Sequence, residues 1–395
     1  MPSETAPTAS SARVVTLAAN ASFVPIGVVT VLLSPMLPML SARWSLDYAQ
    51  AGTLFTAQFL ASTVAVSLSG VLVARYGFRF AISAGLLLTA ASTAMLLAGS
   101  RIVGTVCIAG YGAGSGLAVP AANLLVAELN PKRSSSALNV LNFSWSAGAV
   151  ACPFLVATAE KAHLLGLLLE CVAGFSFLVM IWISFLPFHT SEAAIKKIAE
   201  RKKVDADWRR HSLPALIALF FLYVGTESAF GGWLASYATS LKTMRSVVAV
   251  MTPAFFYASL MVGRLLAPAA LGKIDEVRLV RIGLLLACAG MAGVARSHHV
   301  AAIAVSASAA GLGLSSVYPI TIAFLSRKFG TAAARVGSLA FMMSNLGGAC
   351  FPWLVGVCST HFGKLGIGLS IPLLGSVAML ALYLPAWWST VPEAI

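Results

Sequence analysis

The second half of this sequence repeats the first half at a nearly constant distance along the chain. Pro120 and Pro153 are 33 residues apart, and a shift of 199 residues places them on Pro319 and Pro352. Shifts of 198 or 199 residues relate five further pairs: Gly85 and Gly283, Gly112 and Gly311, Gly114 and Gly313, Gly148 and Gly347, and Leu155 and Leu354. A parallel repeat of this length predicts two similarly folded halves, so both halves must suit the same solvent.

The repeated segments are apolar enough to cross a lipid bilayer. Hydrophobic residues make up 59% of the 395 residues and charged residues only 10%, whereas a typical soluble domain has about 25% charged residues. A helix that crosses the hydrocarbon core needs about 20 mostly apolar residues. Strands with open edges cannot satisfy their hydrogen bonds in lipid, so the sequence predicts an all-α membrane protein with twelve transmembrane helices. The predicted spans are 14–40, 49–74, 79–98, 102–127, 135–158, 164–187, 213–239, 247–271, 277–295, 299–325, 334–359 and 365–388.

The longest polar stretch lies at residues 187–211, between the sixth and seventh spans. It divides the chain into a predicted N-terminal six-helix bundle (1–188), a cytoplasmic central loop (189–211) and a C-terminal six-helix bundle (212–395). Within the loop, residues 191–203 are predicted to form a short amphipathic helix.

Basic residues are distributed unequally between the two predicted sides of the membrane. Placing both termini in the cytoplasm puts most of the 26 lysine and arginine residues on that side, with Arg264 counted among them. Cytoplasmic loops of membrane proteins carry such an excess of positive charge. We therefore predict a multi-pass protein of a bacterial inner membrane with both termini cytoplasmic. The net charge of +13 is interpreted in the same way, and no nucleic-acid partner is expected.

The polar chemistry of the chain argues against an enzyme. The six cysteines all fall inside apolar spans, without a CxxC pair or a histidine cluster beside them. They are interpreted as packing residues and not as disulfide or metal-binding residues. The sequence has neither a phosphate-binding glycine loop nor a hydrolase motif. We expect no enzyme, no ATP-driven pump and no metal or cofactor apart from a coupling ion, either a proton or sodium.

Twelve spans in two repeats around a basic loop resemble the major facilitator superfamily of secondary transporters. The stretch 70–79, Gly-Val-Leu-Val-Ala-Arg-Tyr-Gly-Phe-Arg, is similar to the loop signature after the second span of that family, although Ala74 replaces its aspartate. The resemblance implies that Arg75 and Arg79 take part in conformational change. Glu128, at the end of the fourth span, is a candidate partner for Arg75 or for a basic residue across the gap between the bundles; the alternative is that Glu128 is only a solvated helix end.

A more specific resemblance lies in the seventh span. Residues 222–234, Leu-Tyr-Val-Gly-Thr-Glu-Ser-Ala-Phe-Gly-Gly-Trp-Leu, resemble the signature of the fucose–proton symporter group. That group includes glucose/galactose permeases and relatives of sodium-dependent glucose transporters. Residues 137–148, 311–319 and 347–353 are similar to the fifth, tenth and eleventh spans of the same group. The resemblance implies a monosaccharide as the solute.

Two acids that the fucose permease uses for proton coupling are replaced in this sequence. Ser34 in the first span and Val119 in the fourth stand at the matching places, and neither side chain can carry a proton. Three modes of transport therefore stay open: uniport, proton coupling through Glu227, and sodium coupling through carbonyl and amide groups.

Polar and aromatic residues inside the spans are the candidates for solute binding. Glu227 lies near the middle of the seventh span, where an ionisable group costs at least ~2.5–3.5 kcal/mol and is usually kept for function. Glu170, the other acid inside a span, is interpreted as reaching the membrane interface or a partner in its own bundle. Carboxylates accept hydrogen bonds from hydroxyl groups, amides both donate and accept hydrogen bonds, and aromatic faces pack against the apolar face of a sugar. The predicted substrate-binding residues are Gln58, Asn123, Asn142, Trp145, Glu227, Trp233, Tyr257, Tyr318, Asn345 and Trp353, and Glu227 is also the predicted coupling residue.

The sequence thus predicts a monomeric transporter that moves a small polar solute, a monosaccharide, across a lipid membrane by alternating access. Two alternatives stay open. One is an exporter of amphipathic drugs or metabolites on the same fold, for which Glu227 would supply the counter-charge. The other is a membrane sensor that binds its ligand without moving it.

Overall fold

A computed structural model describes residues 9–130, 133–186, 212–242, 246–271, 273–329 and 333–385, which are almost entirely helical and contain no β-strand. The predicted central loop, with its helix over 191–203, lies outside the described residues. Within them the helices are α1 (Ala9–Arg43), α2 (Tyr48–Met95), α3 (Arg101–Leu129), α4 (Ser134–Lys161), α5 (Leu165–Phe185), α6 (Ser212–Ser240), α7 (Ser246–Leu271), α8 (Glu276–Arg296), α9 (Val300–Leu314), α10 (Val317–Phe329), α11 (Ala333–Phe362), α12 (Leu365–Gly368) and α13 (Ser370–Tyr383).

The helix α2 is long enough to contain two membrane spans. Its 48 residues would extend about 72 Å as one straight helix, more than twice the ~30 Å hydrocarbon core. Gly77 interrupts it with φ 82° and ψ 170°, a backbone conformation that is essentially restricted to glycine. The described residues contain eleven helical segments that are long and apolar enough to cross a membrane, one of which is α2. Division of α2 at Gly77 gives the twelve predicted spans, and the prediction of an all-α membrane fold is confirmed.

Two other spans are interrupted helices. α9 and α10 together form one candidate span, Val300–Arg327, and α12 and α13 form another, Leu365–Tyr383. The interruption between α9 and α10 falls at Ser315 and Ser316, three residues before Pro319. The interruption packs against α7, since a Cβ atom added to Gly263 would lie 2.2 Å from Oγ of Ser315, and this contact matters for the candidate site.

Glycine pairs that the repeat relates form equivalent close contacts in the two halves. A Cβ atom added to Gly85 would lie 2.6 Å from the carbonyl oxygen of Gly114, and one added to Gly114 would lie 2.6 Å from that of Gly85. The corresponding distances for Gly283 and Gly313 are 2.5 and 2.4 Å. Each pair therefore lets two helix backbones touch, as small residues do in membrane-protein interfaces. These shared glycines shape helix packing.

The crossing of α1 with α4 is repeated by the crossing of α6 with α11. A Cβ atom on Gly148 would lie 2.1 Å from the carbonyl oxygen of Val24, and one on Gly347 would lie 2.0 Å from that of Phe221. Neither site leaves room for a methyl group without backbone movement. The interpretation of Gly148 and Gly347 as shaping residues agrees with these contacts.

Two compact units make up the structure, and they do not follow the two sequence halves. The second unit combines the C-terminal helices with one end of α1, α2 and α4. The predicted division into two bundles at residues 189–211 is based on the repeat and the polar stretch in the sequence, and it stays a prediction. The units comprise the described residues of 1–30, 61–149 and 164–203 in the first and of 31–60, 150–163 and 204–395 in the second.

Within the second unit, residues 31–60 pack against α6 and α11, and we call this packing the distal contact. Ser34 Oγ donates a hydrogen bond to the carbonyl oxygen of Gly231 over 2.6 Å. Thr56 Oγ1 donates to the carbonyl oxygen of Ala349 over 2.9 Å. Both bonds join a neutral hydroxyl to a backbone carbonyl, so the distal contact is held without any charged group at these two points.

Arginines cap the ends of the last helix in each half of the repeat. In the first unit, Arg79 Nη2 donates to the carbonyl oxygen of Leu186. In the second unit, Arg281 Nε and Nη2 donate to the carbonyl oxygen of Tyr383 over 3.0 and 2.9 Å. The last carbonyls of a helix lack intrahelical partners, and a cation there also complements the helix dipole. Arg79, predicted to act in conformational change, thus also has a structural contact that the sequence did not indicate.

Candidate functional site

Glu227 lies at the middle of α6, and its carboxylate is close to an arginine on α7. Its Oε2 atom is 4.0 Å from Nη2 of Arg264, and the two side chains are 14% and 26% exposed, respectively. Charged side chains inside a membrane protein almost always face the bundle interior or a water-filled cavity. The partial exposure of both groups therefore favours an aqueous surface at this point.

Two tyrosines complete what we call the Glu227 cluster, defined as Tyr223, Glu227, Arg264 and Tyr318. Arg264 Nη2 donates a hydrogen bond to the hydroxyl oxygen of Tyr223 over 3.2 Å. The rings of Tyr223 and Tyr318 lie with centroids 5.1 Å apart and planes tilted by 32°. Tyr223 is 2% exposed, whereas Tyr318 is half-buried. The cluster thus combines a hydrogen-bond acceptor, a donor and an aromatic surface.

Local structure accounts for the convergence of these side chains. Tyr223 and Glu227 are four residues apart on α6 and share one helix face. Tyr318 lies in the first turn of α10, directly after the interruption that follows α9. A Cβ atom on Gly263 would lie 2.2 Å from Oγ of Ser315, so α7 packs directly against this interruption. That contact brings Arg264, the next residue of α7, beside Tyr318.

Arg264 retains hydrogen-bonding capacity. Among the described residues its Nε atom is buried and has no hydrogen-bond acceptor. A guanidinium group has five N–H donors, and a buried donor without an acceptor costs about 1–3 kcal/mol. The distance of 4.0 Å to Glu227 also exceeds the ~2.7–2.9 Å of a hydrogen-bonded ion pair. Both charged groups can therefore accept a further polar partner.

Sequence reasoning missed Arg264. It counted this residue on the cytoplasmic side of the membrane and not among the polar groups inside the spans. The structure places Arg264 inside α7, seven residues before its end, in agreement with the predicted span 247–271. The available signal was the same as for Glu227, namely a charged residue within an apolar span. The positive-inside argument obscured it, because that argument assigns every basic residue to one side or the other.

Tyr257 and Ser34 lie about one turn of α6 from Glu227. A Cβ atom on Gly231 would lie 2.6 Å from the Tyr257 hydroxyl oxygen, and Tyr257 is buried. Ser34 donates to the carbonyl oxygen of the same glycine. The hydroxyl of Ser34 therefore bonds the backbone of the Glu227 helix one turn after the carboxylate.

Trp233 packs within the distal contact in this conformation. Its side chain is 1% exposed, and its Nε1 atom donates to the carbonyl oxygen of Pro352 over 2.9 Å. The rings of Tyr48 and Phe55 lie 6.1 and 6.2 Å away. An indole enclosed in this way has no face for a solute, so its predicted substrate contact does not occur in this conformation.

The remaining candidates in the second unit differ in exposure. Gln58 is buried, Asn345 is half-buried, and Trp353 is 41% exposed. The backbone of Trp353 supports the distal contact, since a Cβ atom on Gly52 would lie 2.9 Å from its Cα atom. Substrate contacts of these three residues stay predictions.

Three candidates belong to the first unit. Asn123 and Asn142 donate from Nδ2 to carbonyl oxygens of their own helices, at Val119 over 2.9 Å and Leu138 over 2.8 Å. Trp145 Nε1 donates to the Thr30 hydroxyl over 3.4 Å. Each asparagine keeps its amide oxygen and a second N–H as groups that could contact a solute, and the predicted role of both residues is untested.

The predicted pairing of Arg75 with Glu128 also stays a prediction. Both side chains are exposed, Arg75 beside the kink at Gly77 and Glu128 near the end of α3.

Most of the chain matches known transporters. The model of the Major Facilitator Superfamily matches residues 19–352. The chain belongs to the Major Facilitator Superfamily. The protein is therefore a transporter and not an enzyme, as the sequence predicted.

Relatives and a solved structure extend this result. The transporter is 21% identical to sodium-dependent glucose transporter 1A of Mus musculus, with 93% of its chain and 95% of the relative aligned. It is 25% identical to a glucose/galactose transporter of Brucella abortus biovar 1 (strain 9-941), with 85% of each chain aligned. The fold is similar to that of the E. coli fucose:proton symporter, with a TM-score of 0.63, 19% identity, and coverage of 93% of this chain and 97% of that one. The predicted resemblance to sugar permeases is confirmed.

Proposed function

We propose that this transporter moves a small neutral polar solute, a monosaccharide, by alternating access. The observation that carries the proposal is the pairing of Glu227 with Arg264 inside the second unit. Together they offer an acceptor and a donor to the hydroxyl groups of a sugar. The half-buried aromatic ring of Tyr318 adds a surface on which the apolar face of the sugar ring can pack.

The relatives point to the same class of solute. Both are named for hexose transport, one for glucose with sodium and the other for glucose and galactose. At 21–25% identity these names supply the class and not the particular hexose.

Export of lipophilic cations is the less favoured alternative. That function requires Glu227 to attract the positive charge of the solute. Arg264 already provides the counter-charge of Glu227 and would repel an incoming cation. A pair of opposite charges gives little net attraction for either sign.

The mode of coupling is also part of the proposal. The two acids of the fucose permease are absent, and Ser34 donates its hydroxyl to Gly231. We infer that no proton is exchanged at that position. Uniport and sodium-coupled transport are the modes that the residues favour, with Glu227 as the one acid that could still couple a proton.

Uptake into liposomes tests the function. The full chain is reconstituted with a panel of hexoses, with and without imposed proton and sodium gradients. Wild type is compared with Glu227→Gln and with Glu170→Gln, a matched loss of an acid whose side chain is exposed on α5. We expect hexose uptake in wild type and Glu170→Gln and a strong loss in Glu227→Gln.

Two outcomes would contradict the proposal. Uptake of lipophilic cations with indifference to every hexose would favour the exporter. Saturable hexose binding without flux would favour a sensor.

We further propose that both termini face the cytoplasm of a bacterial inner membrane and that the transporter acts as a monomer. The excess of basic residues on the side of the termini carries the first inference. Labelling of single cysteines by an impermeant thiol reagent in intact cells tests the orientation.

A further inference from the structure

Glu227 and Arg264 place one negative and one positive charge side by side in a partly exposed setting. Their nearest charged atoms are 4.0 Å apart. The other two members of the cluster, Tyr223 and Tyr318, are neutral phenols. The cluster as a whole is therefore electrically neutral, although it contains two charged groups.

We propose that Arg264 is a specificity-determining residue that restricts this site to neutral sugars. The inference rests on the proposed function and deepens it. With Arg264 beside Glu227, an acidic sugar is repelled by the carboxylate and an amino sugar by the guanidinium. The attraction that each gains from the other group is offset by this repulsion, so it does not repay the hydration that a charged sugar loses on binding. A neutral sugar uses both groups as hydrogen-bond partners at no such cost.

The geometry distinguishes this role from a purely structural one. A guanidinium that only held helices together would use its donors within the protein. Arg264 instead has a buried Nε atom without an acceptor among the described residues. Its Nη2 atom reaches Tyr223 over 3.2 Å but stays 4.0 Å from Glu227. The unused Nε donor belongs to the same guanidinium whose Nη2 atom lies 4.0 Å from the carboxylate that the sugar is proposed to bind.

Neutral amide replacements change the charge of the site in opposite directions. Glu227→Gln leaves Arg264 alone and gives the site a positive charge. Arg264→Gln leaves Glu227 alone and gives it a negative charge. The double variant, Glu227→Gln with Arg264→Gln, is neutral again. Arg264→Lys keeps the original charges but loses the planar fork of donors.

The experiment measures inhibition of labelled hexose uptake by glucose, glucuronate and protonated glucosamine in liposomes. All variants are first checked for a single symmetric peak in size-exclusion chromatography. For any variant that no longer transports, binding of the same three sugars to detergent-solubilised protein is measured by the shift in melting temperature. Arg278→Gln, which removes an exposed arginine outside the cluster, is the matched control.

We expect the preference for glucuronate over glucose to rise about tenfold or more in Glu227→Gln. An unopposed charge about 4 Å from the charge of the bound sugar is worth at least that much at a partly buried site. We expect a similar rise for glucosamine in Arg264→Gln. The double variant and Arg264→Lys should return to the wild-type preference, with weaker binding of every sugar. Arg278→Gln should behave as wild type.

Several results would overturn the proposal. Unchanged preferences in both single variants would do so, as would shifts of the same sign in both. Wild-type protein that binds glucuronate or glucosamine with the same affinity as glucose would also overturn the proposal, although the proposed hexose transport would remain intact. Wild type that neither binds nor moves any of the sugars would instead remove the proposed function itself, and this inference with it.

Discussion

The hydroxyl of Tyr223 accepts a hydrogen bond from Nη2 of Arg264 over 3.2 Å and so joins α6 to α7 at the level of Glu227. Tyr223 is one turn before Glu227 on the same helix face. The tyrosine therefore orients the guanidinium that lies beside the carboxylate. The interior charges of this transporter are positioned by a neutral side chain as well as by each other.

Tyr223→Phe should weaken solute binding without abolishing it. The variant removes the acceptor of Arg264 and frees the guanidinium to move. A hydrogen bond to a charged group contributes about 1.5–3 kcal/mol, so the KM of transport should rise about tenfold or more. Tyr237→Phe is the control, because its hydroxyl donates to the carbonyls of Ala295 and Ser297 at the end of α8. An equal change in KM for both variants would contradict the assignment.

Gly347→Ala should destabilise the crossing of α6 and α11. Its new methyl group would meet the carbonyl oxygen of Phe221, which lies 2.0 Å from the added Cβ position. Overpacking of a tight contact costs about 1–3 kcal/mol. Thermal unfolding in detergent measures the loss. Gly337→Ala on the same helix has open space around the added atom and should be neutral or slightly stabilising.

Ser34→Ala should loosen the distal contact. The variant loses the 2.6 Å bond to the carbonyl oxygen of Gly231. Cys152 is fully buried within residues 150–163 of the same unit and can report on opening. In a background that retains Cys152 as its single cysteine, its labelling by a thiol reagent should accelerate about 3- to 10-fold, for a bond worth about 0.5–1.5 kcal/mol.

The same measurement on Thr158→Ala supplies the comparison for that prediction. The Thr158 hydroxyl bonds the carbonyls of Phe154 and Leu155 on its own helix, so its loss should leave the labelling rate unchanged. An unaltered rate in Ser34→Ala as well would mean that this hydroxyl does not hold the distal contact.

Arg79→Gln and Arg75→Gln should have different effects. Arg79 donates to the carbonyl oxygen of Leu186, and a bond to a charged group contributes about 1.5–3 kcal/mol. Arg79→Gln should therefore lower the melting temperature clearly. Arg75 is exposed beside the kink at Gly77, so its replacement should slow transport with little change in melting temperature. Equal melting temperatures for the two variants would remove the capping role of Arg79.

Local patterns in the sequence were enough to predict the membrane spans and the glycines at which their helices pack closely. A run of about 20 apolar residues has few options in lipid other than a helix. The kink at Gly77, where the backbone leaves helical geometry, falls between the predicted spans 49–74 and 79–98. The repeat likewise identified the glycine pairs, because a close backbone contact in one half requires its copy in the other.

The candidate site was only partly predictable for a different physical reason. Glu227 could be singled out because an acid in an apolar span is costly wherever its partners lie. The surroundings of Trp233 could not be predicted, since an indole in a span has the same sequence signal whether it faces a solute or, as in this conformation, donates to the carbonyl oxygen of Pro352.

The sequence by itself determined a twelve-span membrane transporter with an acid at the centre of its seventh span. Hydropathy and repeats can be recognised along the chain without knowing which helices are neighbours in space. Only the tertiary structure decided that Arg264 is the partner of that acid and that the hydroxyl of Tyr223 accepts a hydrogen bond from Arg264. Such pairs join helices that are neighbours in space, and their distances depend on the crossing of whole helices and not on any local pattern.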